Sequence, residues 1–234
     1  MKALRGLRKL LARVLLALLA AFLLYQGWLL LRIVHWAGSN PSSTRFMDQR
    51  LEEMRKRSPD AVLKHQWSGY AAISVNLKRA IVAAEDAKFV DHEGFDWAGI
   101  QRAMEKNQKQ GRLVAGGSTI TQQLAKNLFL SSDRSMLRKA QEAIITAMIE
   151  ATMGKRRILE IYLNVVEWGE GVFGAEAAAR HYFGASAAGL SPEQAARLAA
   201  MLPRPRYYDR NRSSEYLAQY AQTILARMPA AQVP

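Results

Sequence analysis

The hydrophobic pattern of the chain begins with one long apolar run. Residues 14–31 read VLLALLAAFLLYQGWLLL and contain no charged residue. Continuing past Arg32 to Val34 brings the run close to the ~20 apolar residues that span a bilayer, because an arginine side chain can extend to the interface. Tyr25, Trp28 and Trp36 are typical of the outer interface. The pattern predicts a transmembrane anchor over residues 14–34.

The residues before this anchor predict its orientation. Residues 1–13 carry five cations and no acid, so this basic tail should stay in the cytoplasm and the rest of the chain should be exported. A cleaved signal peptide is the main alternative, but its apolar region is usually shorter, and no small-x-small site follows before Trp36. A buried helix of a globular domain is a third alternative, which the flanking cations disfavour.

After the anchor, the pattern predicts a linker and then one globular domain. Residues 35–58 are polar and mixed in charge, with a short helix near Thr44–Arg57. Residues 59–234 carry apolar positions at helical spacing, for example along Leu77–Ala84 and Met136–Met153. Strand signals are nearly absent, so the domain should be mainly α.

Three further segments complete this prediction. Ser191–Gln194 is a capping box with proline at the first helical position. The glycine-rich residues 168–174 predict a loop. The last helix, near Ser214–Met228, is predicted to be a scaffold element.

Composition and charge limit the chemistry. The 234 residues leave room for an anchor and one domain of ordinary size. The absence of cysteine excludes disulfides, thiolate metal sites and cysteine nucleophiles. The formal charge is +13, but residues 1–37 hold six cations and no acid, so the remainder, with 27 basic against 20 acidic residues, is only +7. A moderately basic domain could meet nucleic acid, anionic headgroups or a phosphorylated substrate.

The stretch Gly116–Leu130, GGSTITQQLAKNLFL, is the most informative part of the domain. It predicts a helix that starts after two glycines, where free backbone N–H groups suit an anion such as a phosphate. Lys126 and Arg134 lie just downstream, and Gln123 and Asn127 share one helix face. The alternative is an ordinary helix capped by Thr119 or Ser118.

Two glutamates lie at the edges of apolar helix faces. Glu85 follows Ile81 by four residues, and its desolvated carboxyl should have a raised pKa that suits proton transfer. Glu142 follows Arg138 by four, which suggests either a site or a structural salt bridge. A solvated surface charge is the alternative for a single glutamate. His92 is assigned a capping or loop-packing role, and the spacing of the four histidines does not indicate a metal site.

Five ordered runs resemble a known family. They are EDAKFVDHEG, GGSTITQQLAKNLFL, RKAQEA, KRRILEIYLN and GAEAAARHYFG, within residues 77–205. They are similar to the motifs of peptidoglycan glycosyltransferase family 51, which includes the amino-terminal domain of bifunctional penicillin-binding proteins. No transpeptidase domain follows them, so the resemblance implies a monofunctional member. It also implies a lysozyme-like, mainly α glycosyltransferase domain with a small membrane-proximal lobe.

The resemblance implies a reaction and a set of site residues. The reaction is the polymerisation of lipid II by inverting transfer, with release of undecaprenyl diphosphate. Glu85 matches the base that deprotonates the acceptor 4-hydroxyl, and Glu142 matches the second essential glutamate, near the donor diphosphate and any bound Mg²⁺ or Mn²⁺. No obligatory cofactor is implied. The predicted substrate-binding residues are Lys126 and Arg134 for the diphosphate, with Gln123, Ser118, Asn127 and Arg138.

The resemblance also implies location and partners. The expected place is the bacterial inner membrane, with a single span, a cytoplasmic amino terminus and a catalytic domain outside the cytoplasm. The expected partners are lipid II, the growing lipid-linked strand and the membrane, with cell-wall synthases or division proteins as candidates. A lytic transglycosylase or muramidase is one alternative, but glycan cleavage does not require the diphosphate-binding cations Lys126 and Arg134. A non-catalytic scaffold is another alternative, and it would not require Glu85. Nucleic acid is not expected, because the domain is exported and has no basic aromatic patch.

Overall fold

The computed structural model describes residues 2–112, 116–131, 133 and 135–234, with side chains from Arg5 onward. The chain divides into two compact units, one ending at Ser39 and the other comprising Asn40–Pro234. The first unit is a single helix, α1 (Lys2–Gly38). Its part from Arg5 to Gly38 is long and apolar enough to cross a membrane.

Arg32 is accommodated within α1 by its aromatic neighbours. Its guanidinium lies 4.4 Å from the ring centre of Trp36 and 5.1 Å from that of Trp28. Such cation–π contacts partly replace the hydration of the charge. The apolar pattern therefore continues as helix through Arg32, as the sequence predicts.

The second unit is mainly helical, which confirms the predicted fold class. Its α-helices and strands, in chain order, are α2 (Arg45–Arg55), β1 (Lys64–His65), α3 (Val75–Glu85), α4 (Trp97–Gln110), α5 (Ile120–Phe129), α6 (Met136–Thr152), α7 (Lys155–Val165), β2 (Glu167–Gly169), β3 (Val172–Phe173), α8 (Ala175–Phe183), α9 (Pro192–Met201), α10 (Pro205–Arg210) and α11 (Glu215–Arg227). Short 3₁₀ turns occur at Tyr70–Ala72, Ala187–Gly189 and Met228–Ala230.

The centre of the second unit is α7. Its residues from Ile158 to Val165, except Glu160, are buried. Helix α5 packs between α6 and α7, while α9 packs against α3 and α11. Ser191 caps α9 in the predicted capping box. Burial of α7 on nearly all sides provides the rigid support from which α5 presents its polar residues, while α3 rests on α9.

Residues 168–174, predicted as a loop, contribute to a small three-stranded sheet. The strand order is β1-β3-β2, with β1 parallel and β2 antiparallel to β3. Gly171 and Gly174 adopt positive φ angles of 70° and 84°. A Cβ at Gly174 would lie 2.8 Å from the carbonyl oxygen of Asn164. The loop prediction was wrong for the two strands, because β2 pairs with β3 and β3 also pairs with β1, a distant segment of the chain.

Residues 35–58, predicted as a linker, contribute α2 to the second unit. Helix α2 packs on α5. The buried guanidinium of Arg50 donates to both carboxylate oxygens of Glu167, at 2.7 and 3.0 Å. A buried charge needs such a partner, and this partner lies more than a hundred residues away in the chain. One polar residue of this segment, Arg50, is therefore explained by a long-range ion pair.

Candidate active site

Glu85 is the last residue of α3 and contacts α5 directly. Its Oε2 accepts a 2.7 Å hydrogen bond from Gln123 Nε2. Gln123 Oε1 in turn accepts from the hydroxyl of the fully buried Tyr162, at 3.0 Å. The amide of Gln123 is therefore fixed with its donor side toward the carboxylate.

The surroundings of Glu85 raise the pKa of its carboxyl. Burial is the largest cause, and the nearby Asp86 charge acts in the same direction. The hydrogen bond from Gln123 and the charge of Lys126 act in the opposite direction. The predicted direction of the shift is confirmed, and a base with a raised pKa holds a transferred proton more strongly.

The amino terminus of α5 is capped by groups of this chain. Thr119 and Gln122 form a capping box, and the backbone N–H of Ile120 donates to Asp86 Oδ2 at 3.0 Å. Asp86 is held by His92, whose Nε2 lies 2.9 Å from Oδ1. The hypothesis of a phosphate at this helix end was therefore wrong, because Asp86 already occupies the place of the anion. The alternative of a helix capped by Thr119 is confirmed.

Glu142 lies on α6 and is surrounded by cations. Its side chain is only 4% exposed, and Oε2 accepts from Arg138 Nη1 at 2.7 Å. Its other oxygen, Oε1, accepts from Lys139 Nζ, which also lies 3.4 Å from the Ser118 hydroxyl. Lys139 was missed by the sequence analysis, although its i, i+3 spacing from Glu142 was a usable signal.

Lys126 belongs to the same electrostatic cluster. Burial lowers the pKa of Lys126, and the charges of Arg138 and Lys139 add to that effect, while Glu142 and Glu85 oppose it. Within the described part of the chain Lys126 forms no ion pair. Its ammonium is therefore available to an anionic ligand.

One cleft brings most of the predicted residues together. It has a volume of about 670 Å³, and its lining includes Glu85, Ser118, Gln123, Lys126 and Glu142. This cleft is large enough for part of a sugar-containing ligand.

The remaining predicted site residues occupy other positions. Asn127 is buried and lines a neighbouring groove. Arg138 reaches the cleft through its bond to Glu142. Arg134 lies outside the residues that the structure describes.

Helix α11 and the residues that follow α9, which the sequence did not assign to the site, also line this cleft. Tyr216 and Tyr220 come from α11, and Leu202 and Pro203 follow α9. The ring centres of the two tyrosines are 6.1 Å apart, in a stacked arrangement. The sequence predicts α11 as a scaffold element, and the structure adds that two of its tyrosines line the cleft, because α11 is held beside α3 by packing against α9. No local sequence signal carries that information.

The geometry of the carboxylates bears on the predicted metal site. Among the described residues, no group of three or more histidine, aspartate or glutamate side chains is arranged to hold a metal ion. Both oxygens of Glu142 are already bonded to cationic side chains. The arrangement does not offer the several oxygen ligands that Mg²⁺ prefers, and Glu142 as a metal ligand stays a prediction.

Comparisons with known proteins show the family of this chain. The transglycosylase family model matches residues 50–229, so the chain belongs to the transglycosylase family. A protein of Dechloromonas aromatica named biosynthetic peptidoglycan transglycosylase is 66% identical over 220 residues, which are 94% of this chain and 95% of that protein. A protein of the same name from Methylobacillus flagellatus is 60% identical over 97% of this chain and its own full length. A third, from Aromatoleum aromaticum, is 58% identical over 99% of each chain.

Proposed function

We propose that this chain polymerises lipid II into the glycan strands of peptidoglycan, by an inverting glycosyl transfer that releases undecaprenyl diphosphate. The observation that carries the proposal is the joint presence of Glu85, Lys126 and Glu142 in one cleft. A base and an anion-binding group are the two functions that this transfer requires. The family and the names of the relatives support the same reaction.

Glu85 acts as the general base in this mechanism. Its carboxylate takes the proton from the 4-hydroxyl of the acceptor sugar while the hydroxyl oxygen attacks the anomeric carbon of the donor. Gln123 holds the carboxylate at 2.7 Å and thereby orients its other oxygen, Oε1, for the proton. The attack comes from the face opposite the leaving group, so the α-linked donor gives a β-linked product.

The cation cluster stabilises the leaving diphosphate. As the bond between the anomeric carbon and the phosphate oxygen breaks, negative charge grows on the diphosphate. Lys126, Arg138 and Lys139 lie around Glu142 and offer fixed positive charge in a partly desolvated cleft. Glu142 keeps Arg138 and Lys139 in place. Arg134 is assigned to the same role on its motif position.

The anchor brings this site to its lipid-linked substrate. Five cations precede the apolar segment, and the positive-inside rule assigns them to the cytoplasm. The catalytic unit then lies outside the inner membrane, where lipid II presents its disaccharide. Cell-wall synthases and division proteins stay predicted partners.

The proposal is tested with labelled lipid II and detergent-purified protein, and products are sized on a gel. We expect a muramidase-sensitive ladder that disappears in Glu85→Gln and persists in Glu93→Gln, a matched control at an exposed position. Normal turnover by Glu85→Gln would refute the base assignment. Cleavage of preformed glycan without polymer from lipid II would favour the lytic alternative.

A further inference from the structure

The first turns of α1 have two opposite faces. Residues 5–13, which we call the basic segment, are continuous with the apolar span in one helix, and successive residues of an α-helix point about 100° apart. Four cations of the segment therefore fall within an arc of about 140°; they are Arg5, Arg8, Lys9 and Arg13. Its three leucines fall within an arc of about 100° on the opposite side; they are Leu7, Leu10 and Leu11. We call these arcs the basic face and the leucine face.

The length of α1 places the basic segment outside the hydrocarbon core. The predicted span, residues 14–34, is about 31 Å long as a helix, which matches a core of about 30 Å. The nine residues of the basic segment add about 13 Å, whereas the headgroup layer on each side is only about 5–8 Å thick. A segment that continued along the membrane normal would therefore carry Leu7 through the headgroups into water. A segment that lies along the membrane surface keeps its leucine face against the acyl chains.

Neither face of the basic segment has a partner in the described part of the chain. Leu7, Leu10 and Leu11 are each more than half exposed. The four cations are exposed, and among the residues with described side chains they form no ion pair. Residues 1–37 contain no acid. Both faces are therefore free to bind a ligand.

A phosphate-bearing lipid surface is complementary to both faces at once. Clusters of cations next to a membrane span attract anionic headgroups, and an arginine can bind two phosphate oxygens. An apolar face that adjoins such cations can enter the boundary between headgroups and acyl chains. A soluble anion would satisfy only the basic face and would leave the three leucines in water.

We propose that the basic segment lies along the cytoplasmic surface of the membrane and binds the headgroups of anionic phospholipids through its basic face. This inference rests on the proposed function only for the placement of the amino terminus in the cytoplasm, and not on the reaction. The leucine face enters the acyl boundary. Contact with the headgroups then fixes the depth at which the apolar span begins.

The first test measures how each face is shielded from water. The chain has no cysteine, so a single introduced cysteine carries one fluorophore. Leu7→Cys labels the leucine face, and Ala12→Cys labels the basic face without removing a charge. The full chain is reconstituted in nanodiscs of phosphatidylcholine and phosphatidylglycerol, and the neutral quencher acrylamide is added.

We expect the fluorophore at position 7 to be quenched several-fold less than the fluorophore at position 12, because the leucine face is buried in the bilayer. A helix that continues straight into water gives the opposite order, since Ala12 is closer to the span than Leu7. That opposite order, or equal quenching, would overturn the proposal.

The second test measures the choice of lipid. Energy transfer is compared from the fluorophore at Ala12→Cys to acyl-labelled phosphatidylglycerol and to acyl-labelled phosphatidylcholine. We expect a roughly three-fold preference for phosphatidylglycerol that weakens as the salt concentration rises. Equal transfer to the two lipids would assign the basic face to an acidic protein partner and overturn the lipid assignment.

Charge variants in the same Ala12→Cys chain show which residues cause the preference. Arg5→Gln/Arg8→Gln/Lys9→Gln should abolish the preference, and Arg5→Lys/Arg8→Lys should keep most of it. The matched control is Lys56→Gln/Arg79→Gln/Lys109→Gln, which removes the same charge at exposed positions of the second unit and should behave as the parent chain. A preference that persists in the tail variant, or that is lost equally in the control, would refute the role of the basic segment.

Both tests separate this inference from the proposed function. Neither uses lipid II, so their results hold whether or not the protein polymerises it. The two leaflets of a nanodisc have the same composition, so a change of orientation caused by the tail substitutions does not alter the result. Lipid II polymerisation in the same nanodiscs should be equal in the tail variant and the control, and thermal melts establish that each variant is folded.

Discussion

The hydrogen bond between Gln123 and Glu85 should set the acid limb of the pH–rate profile. This 2.7 Å bond favours the ionised carboxylate and lowers the pKa that burial raises. Replacing Gln123 with leucine removes the donor at similar volume. The pKa of Glu85 should then rise further, and because the base works only when deprotonated, the acid limb should move to higher pH.

The size of this effect follows from the type of bond. A hydrogen bond to a charged group contributes about 1.5–3 kcal/mol, and about 1.4 kcal/mol corresponds to one pKa unit. Glu85 is half-buried, so water replaces part of the lost bond. We therefore expect the acid limb of the pH–rate profile to move by about one pH unit in Gln123→Leu. The buried hydroxyl of Tyr162 loses its acceptor in the same variant, which should lower stability by roughly 1–3 kcal/mol.

The assay is kcat/KM for lipid II polymerisation from acid to alkaline pH, with thermal melts at each pH. Tyr162→Phe is the companion variant, because it removes the donor to Gln123 Oε1 and leaves the bond to Glu85 in place. Its acid limb should move much less. An unmoved acid limb in active, folded Gln123→Leu would show that Glu85 is not the group that titrates in the profile.

Three further predictions concern the charge and packing of the site. Burial raises the folded-state pKa of Glu85, so the stability contributed by its protonated form is lost as pH rises through that pKa. The melting temperature of Glu85→Gln should therefore be a few degrees higher than that of the wild type at neutral pH, and the two should be equal in acid. Equal melting temperatures at neutral pH would contradict the desolvation argument. Lys126→Met should lower kcat/KM about a hundred-fold at an unchanged melting temperature, and unchanged kinetics would remove Lys126 from the diphosphate site. The side chain of Asn164 hydrogen-bonds the backbone N–H and C=O of Ser68, at 2.7 and 2.9 Å. Asn164→Leu should therefore lower the free energy of unfolding, measured with denaturant, by about 3 kcal/mol. A decrease smaller than the error of that measurement would refute the stabilising role of Asn164.

Local signals in the sequence were sufficient for the individual helices. The apolar run predicts α1, and the spacing of apolar residues predicts α3 and α6 within a few residues. Helix caps are also local, since Thr119 and Ser191 bond groups only three residues away. These features follow from the helical repeat and from the hydrogen bonds of helix ends. The order of the motifs predicted the family, and the comparisons confirmed that prediction.

The candidate site combines what the sequence determined with what only tertiary structure decided. The sequence alone made Glu85 and Glu142 candidates, because each is a carboxylate at the edge of an apolar helix face and each matches a motif position of the family. It could not show that Gln123 holds Glu85, that Asp86 occupies the end of α5, or that α11 lines the cleft. Those contacts join residues far apart in the chain, and their geometry depends on how α5, α7 and α9 pack. Helical periodicity acts within a few residues, whereas the distances and pKa shifts of a site arise from burial in the folded whole.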